Sequence, residues 1–249
     1  MDYCNIKWEK GLVKIVSPEN SELETLTVYS LALGEGEEFI SDASNVERAL
    51  FLIAGKVEAS GKKLDPHDTI FHADTKVTIR ALNHSRLIIA EAPSPIQQEP
   101  LIIRLKEVEK NPTLFRTVGK ENYERKVLTF IGVNIRAARL LAGYTWVKSG
   151  NWSSFPPHEH GVLMEEVYIF YSLPPPGFGV QLVYEKLDKI KVYVVKENDL
   201  VVIPRGYHPN VVSPGSKMKY LWIISARREF VDRKYGAWRI QPEFEKLRL

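Results

Sequence analysis

Residues 155–166 read FPPHEHGVLMEE, which places His158 and His160 one residue apart and Glu165 and Glu166 a few positions later. In an extended strand, residues i and i+2 face the same way, so these two imidazoles can aim at one point. The two carboxylates are adjacent and lead straight into the apolar run VYIFY at 167–171. Alternation along a strand lets only one of them join the histidines. A third imidazole, His208, follows the turn Pro204-Arg205-Gly206-Tyr207 after the apolar run LVVI at 200–203, and could reach the same point from a neighbouring strand. Two or three imidazoles with one carboxylate suit a divalent first-row metal, and such a set leaves coordination positions open for chemistry.

Strands must carry such a site, and the chain supplies them. Short alternating or wholly apolar runs rich in Val, Ile, Leu, Phe and Tyr recur at 49–53, 76–81, 86–92, 136–142, 167–171, 180–184, 191–195, 200–203 and 220–225. Their lengths and their β-branched and aromatic content favour a half-buried pleated surface. Turn residues separate them, among them Gly34, Gly36, Gly61, Asn83, the PPPG run at 174–177 and Pro214-Gly215. Many short strands at close spacing indicate an all-β sandwich or barrel. Helical periodicity is confined to 21–29, 104–111 and part of 227–249.

The stretch 95–126 is more charged and less strand-like, and it reads as a connector between two β-rich halves. Those halves resemble each other. DTIFHADTKV at 68–77 and DLVVIPRGYH at 199–208 both run from an acidic turn residue through an apolar strand to a polar turn, at a constant offset of 131 residues. In that register His208 falls opposite Val77, which cannot bind a metal. The first half also has no H-x-H, so His67, His72 and His84 read as structural or solvent-facing.

With 249 residues and 44% hydrophobic content the chain can bury a real core. A net charge of +3, with Lys and Arg scattered among Asp and Glu, offers no basic stripe for nucleic acid. The lone cysteine, Cys4, cannot make an intramolecular disulfide. No apolar run approaches the length of a membrane span, and residues 1–12 lack a signal-peptide core. The expectation is a cytoplasmic protein with no membrane and no nucleic-acid partner.

The H-x-H, the downstream Glu and the distal Pro-x-Gly turn before His208 together resemble the cupin family. That resemblance implies a metal site of His158, His160, Glu166 and His208. Glu166 is favoured because it stands next to the strand start at Val167-Tyr168. Glu165 stays an alternative, because the five-residue spacer after His160 is longer than the common cupin form. The match narrows over VGKENYERKVLTFIGVNIRAARLLAGYTWVKSGNWSSFPPHEH (118–160), PPPGFGVQLVY and NDLVVIPRGYHPNVV, which are similar to the 5-deoxy-glucuronate isomerases of inositol catabolism. The first half is similar more loosely, through LIAGKVEASG, and the chain beyond about Ala226 departs most.

What this implies is an all-β bicupin with two jelly-roll barrels: 1–100 a barrel without metal ligands, 101–126 a connector, and 127–249 a barrel with the metal site. The implied activity is the aldose–ketose conversion of 5-deoxy-D-glucuronate to 5-dehydro-2-deoxy-D-gluconate. It uses one divalent metal ion, which could be Zn, Mn, Fe or Co. Glu165 and Tyr168 are candidates for the catalytic base; Tyr168 shares a strand face with Glu166. Gln181 is a candidate for sugar hydroxyls, and Arg139 and Arg205 for the substrate carboxylate. The same ligand set also serves a related uronate ketol-isomerase, a dioxygenase, or a sugar-binding cupin. The partner expected is a small sugar acid, and exposed strand edges allow homo-oligomers.

Overall fold

The computed structural model describes residues 1–246. Two large antiparallel sheets dominate it. One holds, in spatial order, Gln98–Ile103, Thr69–Ala73, Val46–Ala54, Ser85–Pro93, Thr27–Leu33 and Gly11–Val16. The other holds Tyr3–Asn5, Asp199–Ile203, Met164–Tyr171, Met218–Ala226, Leu140–Val147, Arg125–Ile131 and Phe115–Val118. Five consecutive strands of the first sheet, from Thr69–Ala73 to Gly11–Val16, share their spatial and chain order with five of the second, from Asp199–Ile203 to Arg125–Ile131; the outermost strands differ. A smaller four-stranded sheet accompanies each: Glu38–Asp42, Lys76–Ala81, Val57–Ala59 and Lys62–Leu64 in the first half, and Trp152–Ser153, Asn210–Val212, Gly179–Val183 and Lys191–Val195 in the second. The repeat read from the sequence is therefore one of topology. Its division is not clean, because Tyr3–Asn5 pairs with Asp199, Leu200 and Val201 of the second half.

Alternation explains why the central strands read as continuous apolar runs. In Met164–Tyr171 every residue is buried. Tyr168 and Phe170 face the interior of the second half, while Val167, Ile169 and Tyr171 face a cluster built from both halves. In the first half Leu50 and Leu52 pack inward, and Ala49 and Phe51 join that same shared cluster. Each large sheet thus lines its own half on one face and meets the other half on the opposite face. A strand covered on both sides needs apolar residues at every position.

Two sequence expectations fail for one physical reason. Residues 21–29 form turns and then the strand Thr27–Leu33, not a helix. The run at 136–142 becomes strand only from Leu140. In both places the backbone N–H groups ahead of the strand are taken by a carboxylate from the other half, Glu165 for Glu24, Thr25 and Leu26 and Glu47 for Ala138, Arg139 and Leu140. The expected helix near 104–111 is present as Leu105–Lys110, and among its described residues the tail holds only the short helix Pro242–Glu245. No helix among the described residues is long and apolar enough to cross a membrane.

Candidate metal centre

Four side chains converge inside the second half, delivered by three separate segments of the chain. His158 lies on the two-residue strand His158–Glu159, which pairs with Arg239–Ile240 of the tail, and His160 follows it. Glu166 is flanked on its sheet by Ile203 and Ile224. His208 comes after Gly206, whose φ of +92 and whose missing Cβ, which would lie 2.6 Å from the Tyr184 carbonyl oxygen, make the turn a glycine position.

The ligand nitrogens of His158, His160 and His208 all lie within 4.8 Å of one another. Glu166 Oε2 is 3.4 Å from His160 Nε2 and 3.2 Å from His208 Nε2. The other ring nitrogen of each histidine meets a backbone carbonyl: Pro156 at 3.3 Å, Ala237 at 3.4 Å and Gly206 at 2.8 Å for His158, His160 and His208. A carbonyl only accepts, so each Nδ1 donates, which leaves each Nε2 turned toward the centre.

The electrostatics agree with that arrangement. Burial, then the neighbouring His208 and His160, hold the His158 pKa well below its ordinary value, so His158 is neutral. Burial alone would raise Glu166, but the imidazoles of His160 and His208 outweigh it and bring the carboxyl down to about 2. Burial likewise opposes a charge on His160, and Glu166 overrides it and raises that pKa. The centre therefore attracts positive charge. Glu166 Oε2 and His208 Nε2 are buried with no hydrogen-bond partner. Orphaned acceptors of this kind are expensive unless a cation satisfies them. The donor set fits a divalent cation.

The centre opens on a cavity of about 260 Å³. Tyr168 enters it from the strand face shared with Glu166; its hydroxyl lies 2.7 Å from Ser154 Oγ and its ring 5.7 Å from that of His208. Ser154 Oγ is also 3.3 Å from the Tyr220 hydroxyl, which in turn meets Ser153 Oγ at 2.7 Å. Burial, then the charge of Glu166, push the Tyr168 pKa well above 10, so the phenol keeps its proton.

The remaining sequence candidates lie elsewhere. Glu165 is fully buried, but alternation turns its carboxylate out of this cavity to the backbone of Glu24, Thr25 and Leu26, so it is neither ligand nor base here. Gln181 is also buried; its amide donates to the carbonyls of His208 at 2.8 Å and Leu182 at 2.9 Å, and its oxygen accepts from Asn210. It braces the His208 turn and does not face a ligand. Arg139 is spent on the carbonyls of Pro93, Ala226 and Arg227 and on Glu229. Arg205 reaches Glu185 at 3.2 Å and Glu22 at 3.7 Å and lies outside the cavity.

Sequence reasoning missed the tail and Arg125. Lys234, Tyr235 and Trp238 wall the cavity, and the tail is tied down by Gln241, whose N–H donates to the Pro157 carbonyl at 2.9 Å and whose side chain accepts from the Tyr184 hydroxyl at 2.8 Å. The tail carries no motif, so only its aromatic content hinted at a role.

Paired large and small sheets with a three-histidine, one-carboxylate centre in the second pair define a protein of the cupin type with a site able to hold a metal. The family model described as KduI/IolB matches residues 5–239, and the chain belongs to that family. It is 29% identical over 238 residues to the 5-deoxy-glucuronate isomerase of Halalkalibacterium halodurans, covering 86% of each chain. It is 28% identical over 240 residues to the same enzyme of Geobacillus thermodenitrificans, covering 87% of this chain and 86% of that one. Among solved structures, an IolB-like protein from Salmonella typhimurium LT2 superposes with a TM-score of 0.86 at 23% identity, covering 100% of both chains. Oxalate decarboxylase from Bacillus subtilis matches with a TM-score of 0.64 at 12% identity over 90% of this chain and 75% of that one, a likeness of fold alone.

Proposed function

We propose that this protein is a metal-dependent aldose–ketose isomerase that converts 5-deoxy-D-glucuronate to 5-dehydro-2-deoxy-D-gluconate in myo-inositol catabolism. Membership of the KduI/IolB family supports the reading, as do relatives named 5-deoxy-glucuronate isomerase over most of both chains. The single observation that carries it in the structure is the convergence of His158, His160, His208 and Glu166 beside a cavity of about 260 Å³ that His158, His160 and Glu166 line.

These four residues would hold one divalent cation, which when bound supplies Lewis-acid stabilisation of negative charge on substrate oxygens, worth several kcal/mol. The rest is the chain's own work. The reaction moves hydrogen from C2 to C1 and a proton from O2 to O1. Tyr168 stays protonated, so it serves the oxygens as a donor, and the hydroxyls of Ser154, Tyr220 and Ser153 continue from it as a chain that can pass a proton. The backbone carbonyls behind the three imidazoles hold each ring in one orientation.

In this reading the chemistry belongs to the second barrel, 127–249, with 1–100 as a scaffold barrel and 101–126 as the connector. The matched strand order of the halves supports the division, and so does the placement of the histidine cluster in the second half. The test is to load the purified protein with Zn, Mn, Fe or Co, add 5-deoxy-D-glucuronate and follow ketose formation by NMR. Turnover with at least one metal is expected; no turnover with any of the four overturns the proposal.

A further inference from the structure

Several arginines of this protein meet carboxylates, as Arg48 meets Glu91, Arg104 meets Asp68, Arg227 meets Glu24 and Arg239 meets Glu159, while the half-buried Arg233 spends its guanidinium on the carbonyls of Leu140, Gly132 and Ile135. Arg125 is placed differently. Among the described residues no carboxylate lies within ion-pair distance of it, and its one side-chain hydrogen bond is Nη1 to the Tyr123 carbonyl at 3.1 Å. Glu124, the next residue in the chain, is turned the other way onto Lys148.

Strand alternation aims Arg125 inward. On Arg125–Ile131, Val127 packs against the interior cluster of the second half, whereas Leu128 and Phe130 face the cluster shared by both halves. Arg125 shares the Val127 face and lines the same cavity as His158, His160 and Glu166. Burial lowers its pKa, and the side chains that act on its charge are the phenols of Tyr220, Tyr168 and Tyr123, not carboxylates. A guanidinium has five N–H donors in a planar fork, and one is used here. A partly desolvated cation without a counter-charge is unfavourable by itself, and becomes favourable once a ligand brings an anion to it.

The guanidinium is also held in place. Gly119 sits at φ +80, where a Cβ would fall 2.4 Å from the Tyr123 carbonyl oxygen and 3.0 Å from Arg125 Nη1. Asn151 pins the same hairpin by donating to the carbonyls of Glu121 at 3.1 Å and Glu124 at 2.9 Å. The other cations of the cavity are different. Lys234 and Arg116 are exposed, and Arg116 is occupied by Tyr235, donating to its hydroxyl at 2.6 Å with the guanidinium over the ring. They can attract an anion from a distance, while Arg125 can seat one.

We propose that Arg125 anchors the carboxylate of the substrate through its planar fork and so turns the opposite, carbonyl end of the molecule toward His158, His160, Glu166 and His208. The identity of the acid rests on the isomerase reading above, but the geometry alone selects a short sugar acid over a neutral sugar. Carboxylate recognition by a two-pronged guanidinium depends on shape as well as charge, so lysine is an incomplete replacement.

Binding of D-glucuronate and of its neutral amide to the metal-loaded protein, measured by calorimetry, tests this without relying on turnover. The wild type should prefer the acid, Arg125→Met should bind the acid about 30-fold or more weaker and the amide unchanged, and Arg125→Lys should fall between. On 5-deoxy-D-glucuronate the Arg125→Met loss should appear mainly in KM. A wild type that does not prefer acid to amide overturns the proposal, as does an Arg125→Met protein that folds, holds its metal and keeps the preference. If Arg125→Met does not fold, Arg125→Lys decides: a reduced preference supports the anchor and an unreduced one overturns it. A wild type inactive on 5-deoxy-D-glucuronate overturns the isomerase reading, and the binding comparison still judges Arg125.

Discussion

Glu47 and Glu165 form a reciprocal pair across the two halves. Glu47 leaves its own sheet to accept the backbone N–H groups of Ala138, Arg139 and Leu140, at 2.6, 2.7 and 2.5 Å. Glu165 does the same in the opposite direction for Glu24, Thr25 and Leu26, at 2.7, 2.8 and 2.8 Å. The two glutamates lie on corresponding strands of the two sheets, and each caps the strand of the partner sheet that begins at or just after the residues it binds. Both are fully buried.

Removing either carboxylate leaves three backbone donors without an acceptor in the joint. Glu165→Ala should therefore lower the unfolding free energy by roughly 2–5 kcal/mol. Denaturant titration checks the loss, and metal analysis on the same protein separates it from a ligand defect. Normal metal content is expected, since Glu165 faces away from the centre. A metal-free but fully stable variant would reverse the assignment of the two neighbouring glutamates.

Glu166→Ala and His208→Ala should have the opposite profile. Each removes one member of the donor set while relieving a buried orphaned acceptor. The loss in metal affinity should exceed the roughly 10–100-fold that follows loss of an outer hydrogen-bond partner. Metal content after dialysis against a graded chelator gives the number. Unaltered metal retention in both variants would remove these residues from the ligand set.

Tyr168→Phe isolates the hydroxyl from the ring. The phenyl ring keeps the contacts with Tyr220 and His208, while the bond to Ser154 is lost. If the hydroxyl moves protons between substrate oxygens, kcat should fall by about 10²–10⁴-fold. KM and metal content should stay near wild type. Ser154→Ala should give a smaller decrease in the same direction, because Tyr168 itself remains. Wild-type kcat in Tyr168→Phe would assign the phenol to packing.

How much of this was legible beforehand depends on distance along the chain. The apolar runs and turn residues carry the all-β fold, because strand alternation is a local property. The three histidines and the Glu165-Glu166 pair were legible for the same reason, as each sits in a short motif next to a strand. The choice between Glu165 and Glu166 was not, because the face of Met164–Tyr171 that each occupies is set by packing against two different halves. Arg125 was invisible as well. Its significance lies in the lack of a carboxylate partner, and partners such as Glu229 for Arg139 or Glu24 for Arg227 are assigned only by the folded chain. The tail was undervalued because its contact with the site, the pairing of Arg239–Ile240 with His158–Glu159, spans 80 residues between Glu159 and Arg239.

The first half should show its own pH dependence, distinct from the metal centre. His72 is fully buried in that half, with Nε2 2.9 Å from Ser41 Oγ and Nδ1 3.4 Å from Thr75 Oγ1. Burial, and then the nearby Arg48 guanidinium, lower its pKa to about 4 against the opposing pull of a backbone hydrogen bond at Thr75 and of Asp42. Above its ordinary value of 6.5 the ring is neutral whether folded or unfolded, so it contributes no pH dependence. As pH falls below 6.5 the unfolded chain takes up a proton that the folded protein refuses, and stability is lost until the folded ring also titrates near 4. The loss over that window is on the order of 3 kcal/mol. His67, lowered to about 4 by burial and then by Lys219, adds in the same direction. Urea unfolding of wild type and His72→Gln at pH 7.5, 5.5 and 4.5 separates this residue from the histidines of the metal centre, which both proteins retain. The stability gap between the two proteins should narrow as the pH falls, because the glutamine has no proton to gain in the unfolded state. Parallel curves across the range would mean that His72 does not titrate between the two states.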